Sequence, residues 1–429
     1  MNPLAVELNS ILDGTVAGRL TSSMGKRLYF PRGIIAQSAE AKKSAHTANA
    51  TIGMAYSEGR PLILSAIADS MPTLTAEQAV AYAPTAGVEQ VRREWKKLML
   101  QKNKSLNSDR ISMPVVVPGL TSGLSLLADI FVSKNQAVIS SHPCWDNYSL
   151  IFEGRRNAEL RSVPFFGRDG GLDLNAISNA VEDEAKKGSV RIILNFPNNP
   201  SGYSPTKKEA EALAAIFQKA AATADIFIIC DDAYFGLFYE EDIFQESLFS
   251  IFADLHPNIL AVKIDGPIKE DYVWGLRTGF VTFGSKGLDD KHYSALVTKL
   301  MGAIRASVSC ANSPAQYFII KALEDKRSAG EKTRFQDMLQ KRYNRIKKFI
   351  AETPRCAAIN PMPFNSGYFM SFECSGISAE KLRQELLEKH GIGVVALGET
   401  CLRVAFSSLD EEQIDHVYGT IYKTAASMI

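Results

Sequence analysis

Short apolar runs alternate with amphipathic stretches through the middle of this chain. Pro114–Pro118, Ala137–Ser141, Leu160–Phe165, Val190–Phe196, Asp225–Cys230, Ile259–Ile264 and Thr278–Phe283 read as strands. Thr121–Phe131 and the alanine-rich Lys207–Thr223 read as helices between them. Apolar runs without polar alternation, separated by helices, suit a parallel sheet covered on both faces. From about residue 287 two long helical patterns run to Thr353. The last third changes character. Gly367–Phe372, Gly393–Leu397 and Leu402–Phe406 read as short strands, with helices at Ser378–His390, closed by Gly391, and at Asp410–Met428. That pattern predicts a second, smaller α+β domain. Residues 1–50 read as a helical arm and a polar Ala/Ser/Lys segment that joins it. Tyr82–Gly87 (YAPTAG) reads as a turn, and VEQVRREWKKLML after it as a helix.

Composition narrows the class. The 429 residues are 46% hydrophobic and 22% charged, with net charge +1, an ordinary globular balance that points to no nucleic-acid or anionic-membrane partner. The first residues, MNPLAVELNSILDG, lack the basic start and long apolar core of a secretory signal. The six cysteines and six histidines are scattered without ligand spacing. Free thiols in a reducing, cytoplasmic compartment are expected, and no metal site.

Candidate chemistry gathers where strands end. In Val117-Pro118-Gly119-Leu120-Thr121, a strand, a glycine turn and a helix start make an anion site. Thr121 there serves either as a plain cap or as a phosphate donor. Trp145, after the Ala137–Ser141 strand, either packs or stacks on a planar ring. Asn199, in NNPSG, either belongs to a β-turn or aims its amide into the crevice at the strand ends. Asp231 ends the strand DIFIIC, with Tyr234 three residues on. It is either a helix cap or the partner of a protonated ring nitrogen. Lys269 follows the turn Asp265-Gly266-Pro267, and Arg277 follows within GLRTG. Arg403 sits inside an apolar strand of the smaller domain, where it faces water or forks onto a carboxylate.

This order of motifs resembles the class I/II aminotransferases, pyridoxal-phosphate enzymes of fold type I in the aspartate aminotransferase superfamily. NNPSG, DDAY, the K…GLRTG spacing and the late Arg403 carry the likeness, which spans roughly Thr51 to Phe406. The resemblance implies an α/β large domain (61–310) with a mostly parallel seven-stranded sheet sandwiched by helices. It also implies a small C-terminal domain (311–429) and an arm (1–60) joining the latter. Lys269 is similar to the Schiff-base lysine and general base, Asp231 to the partner of the pyridine nitrogen, and Tyr234 and Asn199 to donors to the ring oxygen. Trp145 matches the stacking aromatic. Leu120 through its backbone, Thr121 and Arg277 match phosphate ligands. Tyr82 matches the tyrosine that reaches the neighbouring subunit's phosphate, which implies a homodimer with shared sites. Gly53 resembles the glycine near the substrate, and Arg403 the arginine that grips the α-carboxylate.

Lys263, inside the strand AVKI, is the rival for the Schiff base, and the spacing to Gly275, Arg277 and Gly279 favours Lys269. One departure stands out: Gly266 and Ile268 occupy positions where the family often has small hydroxyl residues. The implied reaction is ping-pong transfer of an amino group between an amino acid and a 2-oxo acid. The substrate is dicarboxylic if Arg305 acts across the dimer, and aromatic or otherwise apolar if Arg305 is only a helix-surface residue. A carbon–sulfur β-lyase shares the first chemical step and remains the nearest alternative. A ligand-sensing regulator would need a DNA-binding domain ahead of Thr51, and a cofactor-free binding protein would be colourless.

Overall fold

The computed structural model describes residues 1–13, 27, 34–51, 53–70 and 73–429. The remaining parts of the expected arm, and Ile52, lie outside the described residues.

The larger unit is built on seven strands: β1 (Val115–Val117), β2 (Ala137–His142), β3 (Glu159–Pro164), β4 (Ser189–Asn195), β5 (Asp225–Asp231), β6 (Ile259–Asp265) and β7 (Gly279–Gly284). They lie side by side in the order β1-β7-β6-β5-β4-β2-β3. Neighbours from β6 to β3 run parallel, and β7 is antiparallel to both β1 and β6. The apolar runs behave as such runs should. Ile228 and Val262 lose all contact with water, each in a different cluster on opposite faces of the sheet. Burial of this kind contributes about 1.5–3 kcal/mol per large aliphatic side chain. A charged residue at either position would break the layer.

Helices cover both faces. They include α1 (Glu89–Lys102), α2 (Leu120–Phe131), α3 (Leu174–Ala185), α4 (Lys207–Ala221) and α5 (Asp290–Arg305). Neither α3 nor the short strand Ile359–Pro361 is among the elements expected above. The strand is only three residues long, too short for a periodicity to show. The signal for α3 exists nonetheless: Asp173 caps it through Ala176 N–H at 2.8 Å, and Ile177, Ala180 and Val181 form its buried stripe.

The two long helical patterns expected to Thr353 resolve into three helices, α5, α6 (Ser313–Glu324) and α7 (Arg327–Glu352). Asn312 caps α6 by accepting from Ala315 N–H at 2.9 Å, and Pro314 occupies its first turn, which a continuing helix could not tolerate. Ile319 and Ile320 of α6 pack with Val91, Trp95, Val116 and Phe280 beside the large sheet. A division of the chain at residue 310 therefore precedes a helix that belongs to the larger core, and we propose the line near Asp325 instead.

The smaller unit has four antiparallel strands, β8 (Ile359–Pro361), β9 (Phe369–Cys374), β10 (Val395–Leu397) and β11 (Cys401–Ala405), in the order β8-β9-β11-β10. Helices α8 (Ala379–His390) and α9 (Ile414–Ala426) complete it, with Gly391 closing α8 at φ 64°. The N-terminal segment is part of this core. Ala48–Asn49 pairs with Ile392–Gly393, and the Gln37 side chain both donates to and accepts from the Ala396 backbone.

Candidate active site

A cavity of about 260 Å³ opens at the carboxyl ends of the parallel strands, where open α/β sheets bind ligands. Leu120, Thr121, Trp145, Asn199, Asp231, Tyr234, Lys269 and Arg277 all line it. A larger hollow of about 470 Å³ lies at the opposite strand ends, around Phe131, Arg191 and Leu260. None of the expected site residues borders it, so size does not identify the chemistry here.

Lys269 sits on a short helical turn, Pro267–Glu270, directly after β6. Its Nζ donates to the Gly53 carbonyl at 3.0 Å and lies 5.0 Å from the centre of the Tyr234 ring. A Cβ added to Gly53 would stand 3.2 Å from Phe369 Cζ and 3.6 Å from both that amine and the Tyr234 hydroxyl, so glycine lets these groups approach one another closely. Desolvation, then the Arg403 and Arg277 guanidinium groups, push the amine down to about 7, against partial support from Asp231. Though the residue keeps some contact with the cavity, its amine is deep enough for desolvation to dominate. An amine so placed is substantially neutral, and so nucleophilic and basic, at physiological pH.

Lys263 has the opposite environment. It is 1% exposed. Its ammonium is ion-paired with Asp232 and lies 3.3 Å from Asp265. Desolvation is outweighed by these carboxylates, and its pKa is raised. It does not face the cavity.

Asp231 is buried at the tip of β5. Tyr148 O–H donates to its Oδ2 at 2.6 Å, and Ala233 N–H to its Oδ1 at 3.3 Å. Burial raises its carboxyl to about 6, with Tyr148 opposing. A buried carboxylate at a cavity wall is a ready acceptor for a ligand N–H. The cap reading of Asp231 fails because no helix starts there; a turn follows. In NNPSG the turn is made by Asn198, whose Oδ1 accepts from Ser201 N–H and Oγ–H. That leaves the Asn199 side chain free for other work. Its Oδ1 accepts from Arg403 Nη1 at 2.8 Å.

Arg403 is 2% exposed and faces inward, not water. Nη2 donates to Thr51 O at 3.2 Å, the group stacks 4.2 Å over Phe369, and Nε has no partner. A buried guanidinium with a free N–H invites an anion.

At the other end, Gly119 takes φ 84° and caps α2, so Thr121 lies inside the first turn and is not the cap. A Cβ on Gly119 would meet Arg277 Nη2 at 2.7 Å, so glycine lets the guanidinium close on the helix start. Free N–H groups, a positive dipole end and an arginine make an anion cradle. The departure at position 266 also has a cause: a Cβ there would lie 2.9 Å from the Thr278 carbonyl oxygen.

Tyr82 and Arg305 are not brought to the cavity. Tyr82 is 92% exposed, and Arg305 is an exposed residue at the end of α5 bonded to Ser309. Several contributors escaped the sequence reading. Tyr148 holds Asp231. Asn195 donates to the Asp231 carbonyl and accepts from Asn199 N–H, each at 2.8 Å. Phe369 lies under Arg403, and Tyr368 O–H donates to the Lys269 carbonyl at 2.7 Å. Tyr148 was legible as the last residue of HPCWDNY; the others depend on tertiary approach.

The arrangement fits pyridoxal phosphate: an amine with only a carbonyl partner, an acceptor for a ring N–H, an indole wall and an anion cradle surround one cavity. The model of the family "Aminotransferase class I and II" matches residues 52–421. The chain is 25% identical over 347 residues to an aspartate aminotransferase of Escherichia coli, covering 79% of this chain and 83% of that protein. An aminotransferase structure from Anaerococcus prevotii superposes with TM-score 0.84 at 20% identity, covering 94% of this chain and 99% of that one. A kynurenine aminotransferase of Pyrococcus horikoshii, solved with PMP, gives 0.80 at 15% identity, covering 98% and 99%. The chain belongs to the class I and II aminotransferases, enzymes of fold type I that depend on pyridoxal phosphate.

Proposed function

We propose that Lys269 carries the cofactor and acts as general base in transamination of an amino acid with a 2-oxo acid. The observation that carries this reading is the Lys269 amine: pressed down to about 7, bonded only to a carbonyl, and facing Asp231 and Tyr234 across the cavity. Asp231, held by Tyr148, would accept from the ring nitrogen. Tyr234 and Asn199 would serve the ring oxygen, and Trp145 would supply the stacking wall. Leu120 N–H, Thr121 and Arg277 would hold the phosphate at the start of α2. Arg403, braced by Asn199 and Thr51, takes the α-carboxylate, and Gly53 leaves room beside it.

When bound, pyridoxal phosphate supplies an electron sink for the bonds at the substrate's α-carbon. With the cofactor bound, Lys269 Nζ would act as the base that takes the substrate's α-proton and, as the resulting ammonium, would hold that proton for return to the same face. Holding the α-carboxylate on Arg403 keeps the C–H bond aimed at that amine. We further propose a homodimer in the cytoplasm in which Tyr82 of each protomer completes the other's phosphate site. Arg305, also exposed, would reach a side-chain carboxylate in the same way, so aspartate or glutamate is our first substrate class and an aromatic amino acid the second. Among the described residues no helix is long and apolar enough to cross a membrane.

The test is borohydride reduction of the purified enzyme followed by peptide mapping, with product analysis alongside. A pyridoxyl group on Lys269, and glutamate formed from 2-oxoglutarate plus aspartate or an aromatic amino acid, are expected. The modification on Lys263, or pyruvate and ammonia released without an acceptor, would overturn the reading.

A further inference from the structure

The back of the sheet, behind the cavity, holds a buried charge cluster that the reaction does not touch. Ile264 points to α2, where its Cδ1 approaches Gly123. Lys263 and Asp265, its neighbours along β6, therefore project from the other face. There the Lys263 ammonium joins Asp232, the residue after Asp231, to Asp265, four residues before Lys269. All three are buried. Each carboxylate has a further tie. Ser247 Oγ–H donates to Asp232 Oδ2 at 2.5 Å, and Trp95 Nε1–H donates to Asp265 Oδ1 at 3.0 Å. Trp95 belongs to α1, and Lys102 at the end of the same helix is ion-paired with Glu270, the residue after Lys269. The catalytic turn is thus tied on both sides to one helix, and on one side to the strand that carries Asp231.

A buried ammonium between two carboxylates is a costly way to fill space, because each ion gives up its water. Apolar residues would pack the same volume without that cost. What the cluster provides instead is geometry. Salt-bridged hydrogen bonds have preferred lengths and directions, and they lock the ends of two neighbouring strands against each other. We propose that Lys263 is a positioning residue for the reaction: through Asp232 and Asp265 it fixes the separation between Asp231 and Lys269 across the cofactor cavity. The proposal rests on the assignment of Lys269 and Asp231 made above. It also explains why two lysines lie six positions apart on one strand and turn: one works, and the other holds the frame.

The test compares the holoenzymes of Lys263→Met, Lys263→Arg and the double variant Lys263→Met/Asp232→Asn with the wild type. Three quantities are read: kcat and KM, the affinity of the cofactor-free protein for pyridoxal phosphate, and the visible absorption of the bound cofactor as a function of pH. Misplacement by a fraction of an ångström up to about 1 Å lowers kcat by roughly 10- to 100-fold. Lys263→Met is expected in that range with KM nearly unchanged, weaker cofactor binding and a displaced absorption midpoint. Lys263→Arg should recover much of the loss. The double variant, which removes one buried charge of each sign, should fall between them. Wild-type kcat and cofactor affinity in a folded Lys263→Met protein would overturn the proposal. So would losses that follow only the fraction of protein folded. Should Lys263→Met fail to fold, Trp95→Phe decides, since it removes the N–H donor to Asp265 while keeping an aromatic ring against Phe280: in protein that remains fully folded, a lower kcat at constant KM supports the proposal, and an unchanged kcat overturns it. Borohydride mapping keeps the two readings apart, because a pyridoxyl group found on Lys263 sinks the assignment of Lys269 itself.

Discussion

Lys263 and Lys269 share a strand and the turn that leaves it, yet their surroundings give them opposite chemistry. Lys263 is sealed from water and Lys269 is desolvated at the cavity wall. Lys263 meets two carboxylates and stays charged. Lys269 meets a carbonyl, an aromatic face and two guanidinium groups, and its proton is loosely held. Burial alone therefore does not make a catalytic lysine. The balance of nearby charges decides: two carboxylates hold the proton on Lys263, while on the cavity side two guanidinium groups outweigh Asp231 at Lys269.

The sharpest way to break this comparison is to remove the front lysine. Lys269→Ala should lower kcat by at least about 10³-fold, since it deletes both the proposed attachment point and the proposed general base. Activity with an amino acid and 2-oxoglutarate, and the colour of the purified protein, measure it. Near-normal turnover would return the role to Lys263. Arg403→Leu comes next. It removes a buried charge from one end of the substrate, and truncating such a pair costs about 2–5 kcal/mol. A drop in kcat/KM of roughly 10²- to 10³-fold is expected. Cofactor affinity should be almost unaffected if the arginine holds the α-carboxylate as proposed. If cofactor binding is lost instead, Arg403 belongs to the phosphate end.

Much of this contrast could be read from the chain before its fold. The fold class, the strand-end placement of Asn199, Asp231 and Lys269, and the arginine in an apolar strand follow from local pattern and spacing. Other features could not be read that way. The triad around Lys263 needs β5 and β6 in register and Trp95 delivered by a distant helix, and sequence separation hides both. Asn195 and Phe369 act through tertiary approach in the same manner. The cap reading of Thr121 fails for a simpler reason. A threonine two residues after a glycine looks like a cap, but the chain turns at Gly119 with positive φ, which only the glycine does cheaply. Tyr82 and Arg305 are exposed, and the roles proposed for them need a second copy of the chain.

Gly266→Ser probes the junction between the two lysines. It places a hydroxyl where relatives of this type often have one. Here the Cβ would crowd the Thr278 carbonyl and Leu120 at 2.9 and 3.1 Å. Overpacking of this kind costs about 1–3 kcal/mol. The variant should melt several degrees lower without gaining cofactor affinity. Tighter cofactor binding would instead mean that the backbone yields and the hydroxyl reaches the phosphate.

The mildest effect is the most specific to the contrast, because the two lysines should leave opposite marks on stability against pH. In the cofactor-free protein the Lys269 pKa is depressed from its ordinary 10.5 to about 7. Between those values the unfolded chain binds the extra proton and the folded one does not, so stability rises with pH across that window. Lys263 has a raised pKa. Its contribution is fully present below the ordinary 10.5 and is lost only as pH climbs beyond it. Lys269→Met abolishes the first dependence and leaves the second. Melting of the cofactor-free proteins, measured from pH 6 to 10, should show the variant most favoured at the acid end, where the native amine must be charged or pay to lose its proton. The difference should shrink toward pH 10. Each kcal/mol corresponds to only a few degrees in a protein of this size. The methionine also changes packing and removes the bond to Gly53 O, but those effects displace the whole curve without altering its slope. A difference in Tm that stays flat with pH would mean that the Lys269 amine is not electrostatically depressed, and the opposition between the two faces of the sheet would fail with it.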